Sequence, residues 1–196
     1  MTETVAPGSG SDKNTLTPED WEQAALELIA EKGVSGLGVE PLARRLGITK
    51  GSFYWHFPRR DELLDQALRR WESQDELHLE LSLSSDLPPA ERLGRFILKT
   101  SRQNLTHRIY AALCACLDHP KVQPVMQRVT RRRMAYLTAA LTELGLAPEA
   151  ARHRARLAYT CYVGYLQLQA KGLVPKRDTP DFDAYVRHVI ETLIKP

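Results

Sequence analysis

Thr49, Lys50, Gly51, Ser52, Tyr54, Trp55 and His56 fall within eight consecutive residues, and each can serve contact with a nucleic acid. The Lys50 ammonium can donate to guanine O6 and N7, or equally to a phosphate. Thr49 and Ser52 add hydroxyls beside it. The Tyr54 hydroxyl and a His56 ring nitrogen extend to phosphates, although His56 could instead cap the C-terminus of a helix. Trp55 offers a flat ring to a sugar or a thymine methyl, with partial burial against the first helix as the alternative. Gly51 lets its backbone lie close to bases or phosphates. From Val39 to Arg60, five basic residues (Arg44, Arg45, Lys50, Arg59, Arg60) stand against the single acid Glu40. That local excess is the footprint of phosphate contact, and at least one of Arg44 and Arg45 should reach the backbone. The formal net charge of +3 is too mild to make the argument alone.

These side chains need a frame. Leu42, Ala43 and Leu46 form one apolar stripe of a short helix, and Gly47 supplies a left-handed residue that closes it. Thr49 caps a second helix on which Phe53 and Phe57 point inward while Thr49, Lys50, Ser52 and Trp55 point out. Ala43 is small because two steeply crossing helices leave no room between them. The pattern is a helix-turn-helix. Upstream, Thr17, Pro18 and Asp20 form a capping box for a helix carrying Trp21, Ala24, Ala25, Leu28 and Ile29, ended by Gly33. Downstream, a fourth helix runs from about Arg60 to Leu83, with Leu63, Leu64, Ala67, Leu68 and Trp71 on one side. Leu77, Leu79, Leu81 and Leu83 alternate as a strand would, but Glu76, Glu80 and the helical run before them favour helix.

The segment from Thr17 to Leu68 resembles the TetR family of bacterial transcriptional repressors. Ala25, Leu28, Ile29, Gly33, Val34, Val39, Leu42, Ala43, Gly47, Ile48, Gly51, Ser52, Phe53, Tyr54, His56, Phe57, Arg60, Asp61, Leu63 and Leu64 stand in register with its pattern. Leu37 and Gly38 replace paired threonines, which removes one hydroxyl-to-phosphate contact. Pro41 is tolerable in a first helical turn, and Arg59 stands where the family has a serine cap. The resemblance implies an all-α fold of about nine helices and a double-stranded DNA operator as partner. It also implies a phosphate-gripping role for Arg60, and a C-terminal region that binds a small molecule and dimerises.

Read on its own, the remaining chain is all-helical too. Residues 1–15 form a Gly/Ser/Thr arm with Lys13 as its one basic residue, expected to be disordered. The head is expected over 16–60, and a helical effector-binding and dimerisation region over 61–196, entered by the connecting helix at about 60–83. Leu87-Pro88-Pro89 marks the boundary after that helix. Helices follow over Ala90–Asn104, Ile109–Leu117 (buried on all sides), Val122–Leu144, Glu149–Lys171 and Phe182–Ile194. Arg92, Arg95, Lys99 and Arg102 form a solvated stripe, and Arg131-Arg132-Arg133 reads as a solvated run, with an acidic ligand or partner as the alternative. Apolar stripes on the last two long helices suggest a dimer seam through Ala155, Tyr162, Tyr165, Val186, Val189, Ile190 and Leu193, with an ordinary core within the subunit as the alternative. The resemblance makes that seam a four-helix bundle. Candidates for a pocket taking a lipophilic effector are Trp71, Phe96, Gln103, His107, Tyr110, Cys114, Met126, Met134, Tyr159 and Tyr162, each of which can equally be plain core.

No nucleophile elbow, Gly-rich phosphate loop, HExxH or set of paired acids suggests an enzyme, and no cofactor is expected. Cys114 and Cys116 lie two apart, on different helix faces and without completing ligands, so no metal site is expected. Three cysteines and no signal-peptide pattern point to a reducing cytoplasm, and no apolar run is long enough for a membrane span. The reading is therefore a DNA-binding regulator, a ligand-released repressor first. The alternative is a DNA-binding regulator or activator without a small-molecule effector.

Overall fold

The computed structural model describes residues 16–83 and 86–195; the N-terminal arm with Lys13 lies outside them. Nine α-helices and one 3-10 turn make up the described residues, and no strand occurs among them. Four elements form the head: α1 (Pro18–Lys32), the turn η1 (Val34–Gly36), α2 (Val39–Leu46) and α3 (Lys50–His56). The Asp20 carboxylate accepts the Thr17 backbone N–H at 2.8 Å, the capping box expected from the sequence. Gly47 ends α2 at φ 69°, ψ 27°, a left-handed cap that frees the chain to turn into α3. Trp21 is the hub. It is wholly buried and meets Phe53 edge-on at 5.4 Å, so α1 holds α3 chiefly through this aromatic contact.

α4 (Arg60–Leu83) is helical throughout, and its Leu77 and Leu81 are exposed while Leu79 is buried. Around it and α1 pack α5 (Pro89–Ser101), α6 (Asn104–Cys114), α7 (Val122–Glu143), α8 (Pro148–Gln169) and α9 (Pro180–Ile194). The broadest seams are α7 on α8, α1 on α6 and on α4, α4 on α7, and α5 on α9. One apolar core runs from Trp21 to Leu166, so head and body share it.

Three local expectations change. The helix expected over Ile109–Leu117 starts at Asn104 and stops at Cys114; Leu117 is largely exposed. The break between α5 and α6 is a backbone turn at Arg102 and Gln103, with neither proline nor glycine to announce it. Of the arginine run at 131–133, Arg131 is exposed, but Arg132 and Arg133 turn inward to acids of α4. Arg133 donates to the buried Asp75 through Nε at 3.0 Å and NH2 at 2.5 Å. Arg132 bridges Glu72 at 3.0 Å and Glu76 at 3.1 Å, and Arg128 grips Glu72 with two nitrogens at 2.8 and 2.7 Å. α4 and α7 are thus joined by a ladder of charge-assisted bonds. The expected stripe on α5 is partly paired as well, Arg92 to Glu143, Arg95 to Glu91 and Arg102 to Asp183.

Candidate nucleic-acid interface and interior cavity

α3 divides its side chains sharply. Phe53 is fully buried, whereas Tyr54 is 60% and Trp55 88% exposed. Thr49, Lys50 and Gly51 are exposed beside them, and Ser52 and His56 are half-buried. The Thr49 and Ser52 hydroxyls lie 3.1 Å apart, close enough to orient one another. Lys50 Nζ is 3.6 Å from Glu40, and Arg44 is 4.0 Å from the same carboxylate, with both bases well exposed. Such pairs contribute little in water, so both cations can be surrendered to phosphates or bases. The His56 ring packs 6.4 Å from Trp21. A Cβ at Gly51 would meet only the Thr49 hydroxyl, at 3.8 Å. The fold therefore has no use for glycine there, at the second residue of α3, where it costs at most about 0.5–1 kcal/mol relative to alanine.

Two basic residues depart from the expected roles. Arg45 turns back onto α1, with NH1 3.2 Å and NH2 2.5 Å from the Glu31 carboxylate and Nε 3.7 Å from Glu27. That hydrogen bond holds the Glu31 carboxyl below its ordinary range. Arg60 spends Nε on the Leu37 carbonyl at 2.6 Å and NH2 on the Val34 carbonyl at 2.7 Å. Both satisfy groups inside the head. Arg44 is the freer of the two α2 arginines, Arg45 being exposed but paired to acids of α1, and Arg60 fixes the α4 entrance to η1.

Inside the helical body lies a cavity of about 150 Å³. Of the sequence candidates, Phe96, Gln103, His107, Tyr159 and Tyr162 line it. Trp71, Tyr110 and Met126 do not; they are buried core, their large side chains filling the seams between helices. Cys114 and Met134 also lie away from it, half-buried against that core. The residues of the expected dimer seam also have contacts inside their own subunit, with Tyr162, Tyr165, Val189 and Ile190 half-buried. Tyr162, Tyr165, Val186, Val189 and Leu193 line the cavity of their own subunit, and Ala155 is fully buried within it. Ile190 packs against Gly94 of α5, 3.4 Å from the position a Cβ would take there. An apolar stripe must be covered, but its period does not say by which chain. The groups missed from the sequence are Asp75, Arg133 and Arg177. Acids at 72, 75 and 76 on one helix and arginines at 128, 132 and 133 on another were the available signal.

The cavity is unusual in its unmet polar groups. Both ring nitrogens of His107, the Tyr162 hydroxyl, Asp75 Oδ2 and Arg177 Nε are buried without a hydrogen-bond partner. Burial, helped by Arg177 and Arg133, depresses the His107 pKa to about 3, so the ring is neutral at pH 7. Tyr159 is instead engaged, bonded to the Tyr110 hydroxyl and 3.1 Å from Thr130 Oγ1. No group of three or more potential metal ligands occurs among the described residues. None of their helices is long and apolar enough to cross a membrane.

Residues 23–67 match the family described as bacterial regulatory proteins, tetR family. The chain is 38% identical over 63 residues to the class A tetracycline repressor protein from transposon 1721 of Escherichia coli, a match covering 32% of this chain and 29% of that protein. It is 30% identical over 135 residues to an HTH-type transcriptional regulator of Saccharopolyspora erythraea, covering 68% of this chain and 52% of that one. The matched segments thus span from under a third to about half of these relatives. Over nearly the whole chain the likeness is one of fold. A TetR-family regulator from Agrobacterium tumefaciens superposes with a TM-score of 0.73 at 20% identity, over 89% of this chain and 96% of that one. A TetR regulator from Legionella pneumophila gives 0.73 at 18% identity, over 92% and 98%. The head, residues 23–67, thus belongs to the TetR family of bacterial regulatory proteins, and the described helices share the fold of TetR-family regulators along almost their whole length.

Proposed function

We propose that this protein is a transcriptional repressor that binds a palindromic operator in double-stranded DNA as a homodimer and leaves it when a small molecule fills the interior cavity. The carrying observation is the division of α3, with Phe53 wholly buried and Trp55 88% exposed two residues on. A seven-residue helix pinned by one aromatic and presenting Lys50, Gly51, Tyr54 and Trp55 outward is built to enter a major groove. Lys50 reads a base edge, while Arg44, Tyr54 and His56 contact phosphates. Head relatives named as repressors support that sense of regulation. A bacterial regulator of this kind meets its operator in the cytoplasm.

One α3 covers only a few base pairs, so pairing across a two-fold axis is needed for a specific site. The surface for it is the outer face of α8, where Leu157 and Leu168 are 64% and 44% exposed and Gly164 between them has open space at its Cβ position. Selection of bound DNA from a random-sequence pool tests the proposal. Two inverted half-sites are expected, with affinity falling steeply as salt rises. Recovery of no common sequence, or of single half-sites, would overturn it. Thermal-shift screening against apolar compounds separates a ligand-released repressor from a regulator without effector.

A further inference from the structure

The charged lining of the cavity is unbalanced: one acid, Asp75, and two arginines, Arg133 and Arg177. Asp75 is already taken by Arg133, through both Nε and NH2. Arg177, in the loop between α8 and α9, has no carboxylate within ion-pair distance among the described residues, and its Nε is unmet. Burial pulls its pKa down, opposed by Tyr162, Tyr165 and its chain neighbour Asp178. Close by stand the other unmet groups. The His107 ring is edge-on to Tyr162 at 5.4 Å, and the Arg133 guanidinium lies 5.8 Å from the centre of the Tyr162 ring. The Tyr162 hydroxyl, beside that guanidinium, makes no hydrogen bond. Unmet polar groups, the Arg177 and Tyr162 donors with Asp75 Oδ2 as an acceptor, are thus gathered where burial makes them costly.

Resting on the effector-site reading above, we propose that the cavity takes an apolar monocarboxylate of about one aromatic ring or one short acyl chain, its carboxylate accepted by Arg177 and the Tyr162 hydroxyl. One negative charge neutralises the one unpaired guanidinium, and an Arg–carboxylate bond is the strongest polar contact open to this site. His107, neutral, can donate from one ring nitrogen to the same carboxylate. The rest of the ligand lies against Phe96 and Ile97 of α5, Leu137 of α7, and Val186, Val189 and Leu193 of α9. A cation finds its one possible partner, Asp75, already neutralised. A neutral compound leaves Arg177 as it is, and a dianion strands a second charge. The volume, about 150 Å³, suits a single ring: an apolar cavity of roughly that size accepts benzene.

The test is isothermal titration of the full-length protein with benzoate, phenylacetate and octanoate, each beside its amide, and with octylamine. At least one carboxylate should bind about tenfold or more tightly than its amide, the worth of a charge-assisted bond. Octylamine should not bind. Arg177→Gln, which breaks no ion pair or hydrogen bond and so should keep the helical circular dichroism, should bring that carboxylate to parity with its amide. Tyr162→Phe should take away part of the preference. If amides bind as well as carboxylates, or Arg177→Gln changes nothing, the anion assignment is overturned while the effector cavity stands. If none of the seven probes binds, the cavity reading falls and the anion with it.

Discussion

Gly51 and His107 show how much a single residue can report when the fold has no need of it. Alanine at 51 fits without contact closer than 3.8 Å, so Gly51→Ala, in the first turn of α3, should raise unfolding free energy by at most about 0.5–1 kcal/mol. The same methyl should weaken operator binding if α3 lies close against DNA. A variant more stable by urea titration with unchanged operator affinity would place the DNA elsewhere. Lys50→Ala should cost about 1–3 kcal/mol at one base position per half-site; equal weakening of every operator variant would make Lys50 a phosphate contact. His107 speaks to pH. Its folded pKa is near 3 against an ordinary 6.5, because burial disfavours the imidazolium. Below pH 6.5 the unfolded chain therefore takes up a proton that the folded chain refuses. The contribution is fully present above pH 6.5 and is lost as pH falls from there towards 3, at no more than about 1.4 kcal/mol per unit. Comparing His107→Gln with the parent between pH 6.5 and 5 isolates it from the carboxylates, and parallel curves would show that the ring is charged when folded.

Among the elements, the α4–α7 ladder is the feature that sequence pattern concealed. Three consecutive arginines on a helix cover a wide arc, and only the facing acids decide which of them turns in. Here Asp75 is buried and takes Arg133. Burial works against charge on Arg133, but Tyr162 and Asp75 outweigh it and hold its pKa above the ordinary guanidinium value. Asp75→Asn should accordingly cost about 3–5 kcal/mol, the penalty of stranding a buried cation. A urea midpoint matching the parent would mean that Arg133 escapes to solvent. The head was far more legible. Its capping box, the Gly47 turn and the Phe53 anchor are decided within about fifty residues by local chemistry, and each stands where residue type and spacing put it. The cavity and the outer faces of α8 and α9 were not, because period 3.6 marks which stripe is covered and is silent on the cover. The roles of Arg45 and Arg60 were hidden for a related reason. Their charge suggested phosphate, while their partners, two acids on α1 and two carbonyls around η1, are contacts the linear sequence does not order.

At the scale of the whole molecule, the cavity and the head are joined through α4 and α6. His107 lines the cavity from α6, and its neighbour Arg108 directs NH2 to the Ala30 carbonyl near the end of α1, at 3.5 Å. α1 packs on α6 along much of its length, so an α6 displaced by a ligand must carry the head with it. Two heads sense that displacement together only if the subunits are paired. Leu157→Glu with Leu168→Glu tests the pairing surface. Both side chains are exposed in one subunit, so the double variant should keep its helical circular dichroism and its melting temperature. In a dimer the same glutamates would face their own copies in an apolar layer, where unpaired charge costs several kcal/mol. Light scattering should then report a monomer, and operator affinity should fall far more than non-specific affinity, since registration on two half-sites is lost. Val189→Glu serves as the contrast: it lines the cavity, so it should destabilise the subunit itself and lower the melting temperature whether or not dimers form. A double glutamate variant that stays dimeric at micromolar concentration and still protects both half-sites would move the interface off α8, and with it the geometry by which one ligand-filled cavity could reach both heads.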